Sequence, residues 1–153
     1  TKMEPNNVRR IVRALEVCEG SGKPFSSFGP GVDTYPESPV QQVALRWPRD
    51  VLAQRIEARV HIMIERGLKD EVETLLAAGL SPTALQALGY KEMVEHLEGR
   101  MSLEEVVATV VLRTRQFAVR QERWFRRDPR IVWFDIESDP VAEVAPRLID
   151  LLA

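Results

Sequence analysis

The 153 residues, 44% hydrophobic and 29% charged with formal net charge −2, have the make-up of one soluble globular domain, and disordered or fibrous classes are excluded. No run is long and apolar enough for a membrane span, no secretory pattern opens the chain, and a single cysteine, Cys18, makes neither an internal disulfide nor, with only His61 and His96, a usual zinc site; the reading is a cytoplasmic protein. The overall charge hides an asymmetry, because residues 100–130 hold eight Arg against four acids, and residues 135–153 hold five acids against one Arg.

The opening "TKMEPNN" has no initiator methionine and runs almost at once into a helix, as a piece of a larger protein would. Asn7 is suited to cap a helix over 6–18, with Ile11, Ala14, Leu15 and Cys18 on one face. "GSGKP" at 20–24 stops it with glycine and then proline. It is not a phosphate loop: it follows a helix instead of a strand and lacks Ser or Thr after the lysine. Residues 25–39, rich in Ser, Gly and Pro, are expected as a long loop, and "VQQVALRW" at 40–47 as a strand.

From Asp50 the pattern is helical, with apolar residues at 52, 56, 60, 63 and 64 and a stop at Gly67. Arg55 and Arg59 lie one turn apart on this helix and repel unless something negative is near. A phosphate ligand or a neighbouring carboxylate such as Glu57 or Glu65 would serve, and both readings stay open. His61 reads as structural. A short helix ends at Gly79. A third is expected over 81–99 with Gly89 inside it, which costs about 1 kcal/mol relative to alanine and invites a close neighbour, either a ligand or another helix. Tyr90 and Lys91 then offer a ring and a cation.

Ser102 and Glu105 form the capping box of the longest helix. On a wheel of about 100° per residue, Leu103, Val106, Val107, Val110, Phe117, Ala118, Trp124 and Phe125 share one face, expected to be the core contact. Within it "RTRQFAVRQERWFRR", 113–127, packs six arginines against one glutamate. Arg113, Arg120 and Arg127 fall in a row beside the core face with Arg123 nearby, and Arg115 and Arg126 lie on the opposite flank. The row suits a run of phosphates; a solvated helix face is the alternative. "RIVWFDI", 130–136, reads as a short buried strand and the tail from Pro140 as an amphipathic helix. Two strands so far apart make a poor sheet alone and are expected to join strands outside this chain.

Taken in order, "RRIVRALEV…GKP", "RIEARVHIMIERGLKDEVETLL", "ALGYKEM…LEGRMSLEE", "TRQFAVRQERWFRRD" and "IVWFD" resemble the C-terminal half of the bacterial tRNA dimethylallyltransferases, the tRNA isopentenyltransferase or IPP transferase family, over nearly the whole chain. The resemblance implies an α/β fold. Residues 1–153 would be the mostly helical C-terminal portion of a nucleotide-binding, P-loop NTPase-like core, with two strands joining the parent sheet. It implies transfer of a dimethylallyl group from dimethylallyl diphosphate to N6 of the adenine 3′ of the anticodon, with the base flipped out of its stack. It implies partnership with a tRNA anticodon stem-loop, Mg²⁺ bound mainly by residues outside this chain, and a monomer.

Residue by residue, Arg59 matches an arginine on the diphosphate. Arg9, Arg10 and Arg13 match a tRNA-touching segment, as do Gln86, Gly89, Tyr90 and Lys91. Arg120, Gln121, Trp124 and Arg126 stand in matching places on the basic helix, to which the row adds Arg113, Arg123 and Arg127. Val119 and Arg123 depart from the lysine and threonine common there. The family's Gly-rich phosphate loop and general-base aspartate do not occur in these residues, so the chain alone is expected to be inactive. A stand-alone RNA-binding helical module and a helical interaction domain with solvated arginines are the competing readings.

Overall fold

The computed structural model describes residues 5–29 and 34–152. Four helices carry the larger core: α2 (Arg49–Glu65), α3 (Leu68–Ala77), α4 (Tyr90–Leu97) and α5 (Leu103–Phe125). Pro48 precedes α2 and Arg66 ends it; Gly67, at φ +94°, then turns the chain directly into α3. The contacts run α2 to α3, α3 to α4, α4 to α5 and α2 to α5. They bury Ile56, Val60, Leu68, Val72, Met93, Val106, Val110 and Val111. Each such side chain contributes on the order of 1.5–3 kcal/mol by leaving water.

α5 starts where its capping box stands. The Ser102 hydroxyl accepts from the Glu105 amide at 3.2 Å, and the Glu105 carboxylate accepts from the Ser102 amide at 2.8 Å. The helix spans 23 residues, on the order of 34 Å. Its core stripe is covered only over the first half: Val106 and Val110 are buried, whereas Phe117 is 46% and Trp124 58% exposed. The expectation that Leu103, Phe117 and Trp124 are core residues is therefore corrected, Leu103 being 37% exposed where the helix starts. The stripe continues along the helix, and the described bundle does not cover its far end.

The second core lies beneath a parallel pair of strands, β1 (Gln42–Arg46) and β2 (Ile131–Asp135), in register from Gln42 opposite Ile131 to Arg46 opposite Asp135. Phe134, Ile136 and Val144 of α6 (Pro140–Leu152) are buried there, with Trp47 and Leu148 packed against them. The bundle is the crossover between the strands. Of β2 only Phe134 is buried, so the strand read as buried is half-covered. The two strands pair with each other; strands outside this chain are a separate expectation.

Further expectations need adjusting. α1 (Val8–Ser21) runs three residues past its expected end, to a left-handed Gly22. Ala14 is its buried residue, and Leu15, placed on the core face, is 62% exposed. The loop over 25–39 contains a 3-10 turn, Phe25–Phe28, and its residues 30–33 lie outside the described residues. The single helix over 81–99 is instead a 3-10 turn, Ala84–Gln86, followed by α4. Gly89 therefore opens a helix and does not sit inside one.

Candidate nucleic-acid interface

α5 carries the densest positive charge, and its arginines are not equivalent. Arg113 donates from Nη1 to Oε1 of Glu92, which is 3% exposed. Arg115 donates from Nη2 to the Glu57 carboxylate at 2.8 Å and towards the Ala53 carbonyl at 3.4 Å. Arg126 pairs with Glu122 at 2.6 Å, one turn back. Arg120 and Arg123 are exposed and have no ion pair among the described residues. Arg127 is exposed and engaged in a contact of its own.

The charge imbalance on the helix is thus partly answered from elsewhere in the fold. Glu92 comes from α4 and Glu57 from α2, positions that no local count along α5 includes. The guanidinium groups that remain without a carboxylate, Arg120 and Arg123, flank Gln121 and the exposed Trp124, whose ring meets Phe125 edge-on at 5.2 Å. A mobile cation beside an exposed ring suits phosphates and unpaired bases, because phosphate contacts supply affinity and any base offers a face to stack.

On α2 no carboxylate among the described residues relieves the repulsion expected between Arg55 and Arg59, and the phosphate reading stays with Arg59. Arg55 lies over the Trp47 ring, 4.4 Å from its centroid. Glu57, the nearest candidate carboxylate, is taken by Arg115. Arg59 is exposed and has no ion pair among the described residues, so its charge is available to an anion.

The "ALGYK" segment forms a tight turn against the bundle. Gly89 is buried at φ +97°, and a Cβ there would sit 3.6 Å from Leu68 Cδ2. Its amide donates to Glu92 Oε2 at 3.1 Å. The Tyr90 hydroxyl donates to Glu71 of α3, which holds the phenol above its ordinary value, and the Tyr90 ring packs on the core. Tyr90 is therefore a structural anchor more than a free stacking ring. Gln86 and Lys91 are exposed. Of the two neighbours considered for Gly89, a helix is the one observed: Leu68 of α3 and Val110 of α5.

Arg9, Arg10 and Arg13 are exposed on α1, whose principal contact is the 3-10 turn after it, and Arg13 pairs with Glu16 at 3.1 Å. The structure does not bring these three onto α5. His96 is structural, its Nδ1 lying 2.9 Å from the Met101 carbonyl oxygen.

One feature had no signal in the sequence. A cavity of about 680 Å³ opens between the β1–β2 pair and helices α2 and α5, lined by Trp47, Leu52, Ile56, Ala118 and Phe125, with Arg49 and Arg115 among its cations. That volume falls in the small-ligand range of about 300–1,000 Å³. It arises from the pairing of strands eighty-odd positions apart, which no short window encodes. Arg59 is not among its lining residues. No group of His, Cys, Asp and Glu among the described residues could hold a metal ion; the Mg²⁺ that the resemblance implies is expected mainly on residues outside this chain. Among the described residues no helix is long and apolar enough to cross a membrane.

Comparison with known proteins gives one consistent picture. The family described as IPP transferase matches residues 1–128. A tRNA dimethylallyltransferase of Carboxydothermus hydrogenoformans is 45% identical over 150 residues, covering 97% of this chain and 48% of that protein. One of Corynebacterium jeikeium is 44% identical over 142 residues, covering 91% of this chain and 46% of that protein. Among solved structures, the tRNA delta(2)-isopentenylpyrophosphate transferase of Staphylococcus epidermidis is similar at TM-score 0.72 and 29% identity, over 99% of this chain and 50% of that one. The tRNA isopentenylpyrophosphate transferase of Bacillus halodurans is similar at TM-score 0.64 and 34% identity, over 97% of this chain and 44% of that one. The chain spans about half the length of the curated relatives it matches.

Proposed function

This chain belongs to the IPP transferase family, and from that premise we propose that it is the tRNA-gripping portion of a tRNA dimethylallyltransferase, supplying one arginine to the diphosphate. The observation that carries the reading is the match itself, continuous over residues 1–128 and shared with relatives of that name. The whole reaction would move the dimethylallyl group of dimethylallyl diphosphate to an adenine N6 beside the anticodon. A C–N bond forms, the C–O bond to diphosphate breaks, and the amine gives up a proton.

Arg59 is assigned to the leaving diphosphate. A fixed guanidinium stabilises negative charge as it develops on the departing oxygen. That no carboxylate among the described residues pairs with it supports the role, since an ion-paired arginine would first have to give up that partner. Arg120 and Arg123, with Gln121 and Trp124, are assigned to the anticodon stem-loop, joined by Gln86 and Lys91 from the turn before α4 and by Arg9 and Arg10 from α1. Arg126, Arg127 and Arg13 belong to the same assignment as outer contacts. Tyr90 and Gly89 shape the turn that presents Lys91. We place the work in the cytoplasm and the protein as a monomer.

The proton acceptor for the amine and the phosphate loop are assigned to no residue of this chain, and no step is routed through a metal. The 153-residue chain incubated with dimethylallyl diphosphate, magnesium and anticodon stem-loop RNA is expected to bind the RNA and give no prenylated adenine. Binding no stronger than to a neutral polymer would overturn the RNA assignment; turnover by the chain would overturn the assignment of the chemistry elsewhere.

A further inference from the structure

Glu92 is the one buried charged residue among the described residues, 3% exposed on the first turn of α4. Both its oxygens are used. Oε2 accepts from the amide of Gly89 at 3.1 Å, and Oε1 accepts from Nη1 of Arg113 on α5. A buried carboxylate without a partner is costly, whereas one with an arginine and a backbone donor is held. The Arg113 side chain is 47% exposed, so it can be reached from solvent, yet it cannot leave without stranding that carboxylate. Arg120 and Arg123 carry no such obligation.

The same carboxylate fixes Gly89 in a conformation at φ +97° that only glycine adopts readily. Exposed Gln86 lies on one side of that turn and exposed Lys91 on the other. A second tie, from the Tyr90 hydroxyl to Glu71, holds the turn to α3. The turn is thereby fastened to two helices, and among the described residues its side-chain hydrogen-bond tie to the arginine helix runs through Glu92, beside the apolar contact with Val110.

Resting on the RNA reading above, we propose that Glu92 is a positioning residue that locks the Gln86–Lys91 turn to α5 through Arg113, and that Arg113 is an internal strut and not a phosphate contact. The helical wheel placed Arg113 in the row suited to phosphates; Arg120 and Arg123 are the arginines beside that core face with no ion pair among the described residues. The partner chemistry is unchanged. What is new is which arginine the RNA does not use, and which acid orders the turn it does use.

Two readouts on the 153-residue chain test this: hydrogen exchange of the Gly89 amide without RNA, and the salt dependence of anticodon stem-loop binding. Glu92→Ala is expected to speed Gly89 exchange about tenfold, the worth of one net hydrogen bond, while the Val72 and Val106 amides keep their protection. It should weaken RNA binding by about tenfold with the salt slope unchanged. Glu92→Gln retains one acceptor for Gly89 but turns an NH2 donor towards Arg113, so it should recover most of the Gly89 protection and little of the RNA affinity. Arg113→Gln should leave the salt slope as it is, and Arg120→Gln should reduce it by roughly 0.7–0.9, the loss of one phosphate contact.

A slope reduction of that size from Arg113→Gln would overturn the proposal. Equal loss of protection at Gly89 and at the core amides would overturn it too, by making Glu92 a general stabiliser. If the unsubstituted chain binds no RNA, the positioning role falls together with the reading beneath it, while Gly89 exchange still reports whether Glu92 makes the tie.

Discussion

Gly89 sits at φ +97° with ordinary contact distance, 3.6 Å, between a built Cβ and Leu68. Space therefore allows a methyl group, and the backbone does not. Gly89→Ala is expected to destabilise the chain by about 1–3 kcal/mol, seen as a lower midpoint in urea with an unchanged slope. An unchanged midpoint would show that the turn relaxes freely. Arg59 differs in kind: nothing in the fold depends on its charge, so Arg59→Ala should leave the midpoint in place and abolish protection of the chain by inorganic diphosphate. Residue types were legible in the sequence at this scale, but their employment was not. Arg113 and Arg115 read as unpaired because Glu92 and Glu57 approach from other elements, and the Trp47 ring that Arg55 lies over was not among the neighbours considered for it. A local charge count sees only Glu122, and indeed the Arg126–Glu122 pair is the one it could have supplied.

At the scale of elements, α5 and α6 each begin at a built cap, and the two make opposite demands on a test. The cap of α5 needs the Ser102 hydroxyl, so Ser102→Ala should lower stability by about 1 kcal/mol, by chemical denaturation at neutral pH. The cap of α6 needs charge. The Glu143 carboxylate accepts from the amides of Glu137, Ser138 and Asp139 at 2.8, 2.7 and 2.7 Å, and these backbone donors hold it down to about 2 from an ordinary 4.5. A carboxyl lower in the folded chain than in the unfolded one adds stability that is fully present above pH 4.5 and is lost as pH falls towards 2. Glu143→Gln should therefore lower stability at pH 7 and flatten the acid limb between those values, the two chains converging as pH approaches 2; an unaltered acid limb would contradict the cap. The capping box of α5 and the stop at Gly67 were legible because they are short and local. The break before α4 was not, since "QALGYKEM" keeps helical spacing, whereas the extended Ala87 and the positive φ of Gly89 interrupt the helix. The strand pairing was likewise out of reach: each strand is readable alone, but register belongs to both.

On the scale of the molecule, a helical bundle is inserted between two parallel strands, and the arginine helix runs from the bundle's core towards the sheet. Its buried stripe ends midway, leaving Phe117 and Trp124 in solvent beside Arg120 and Arg123. The apolar periodicity that revealed the helix could not say where the bundle stops covering it, which is why these rings read as core. On the proposed reading, Arg59, Arg120 and Arg123 give this chain anion contacts, and the phosphate loop and the proton acceptor are assigned elsewhere. The most direct test of that claim is the affinity of the chain for an anticodon stem-loop RNA measured across a range of monovalent salt, with and without Arg120→Gln plus Arg123→Gln. The account predicts a steep linear fall of log affinity with log salt, shallower by roughly 1.4–1.8 in the double variant, two contacts at about 0.7–0.9 each. A slope near zero, or one that the double substitution leaves untouched, would contradict it.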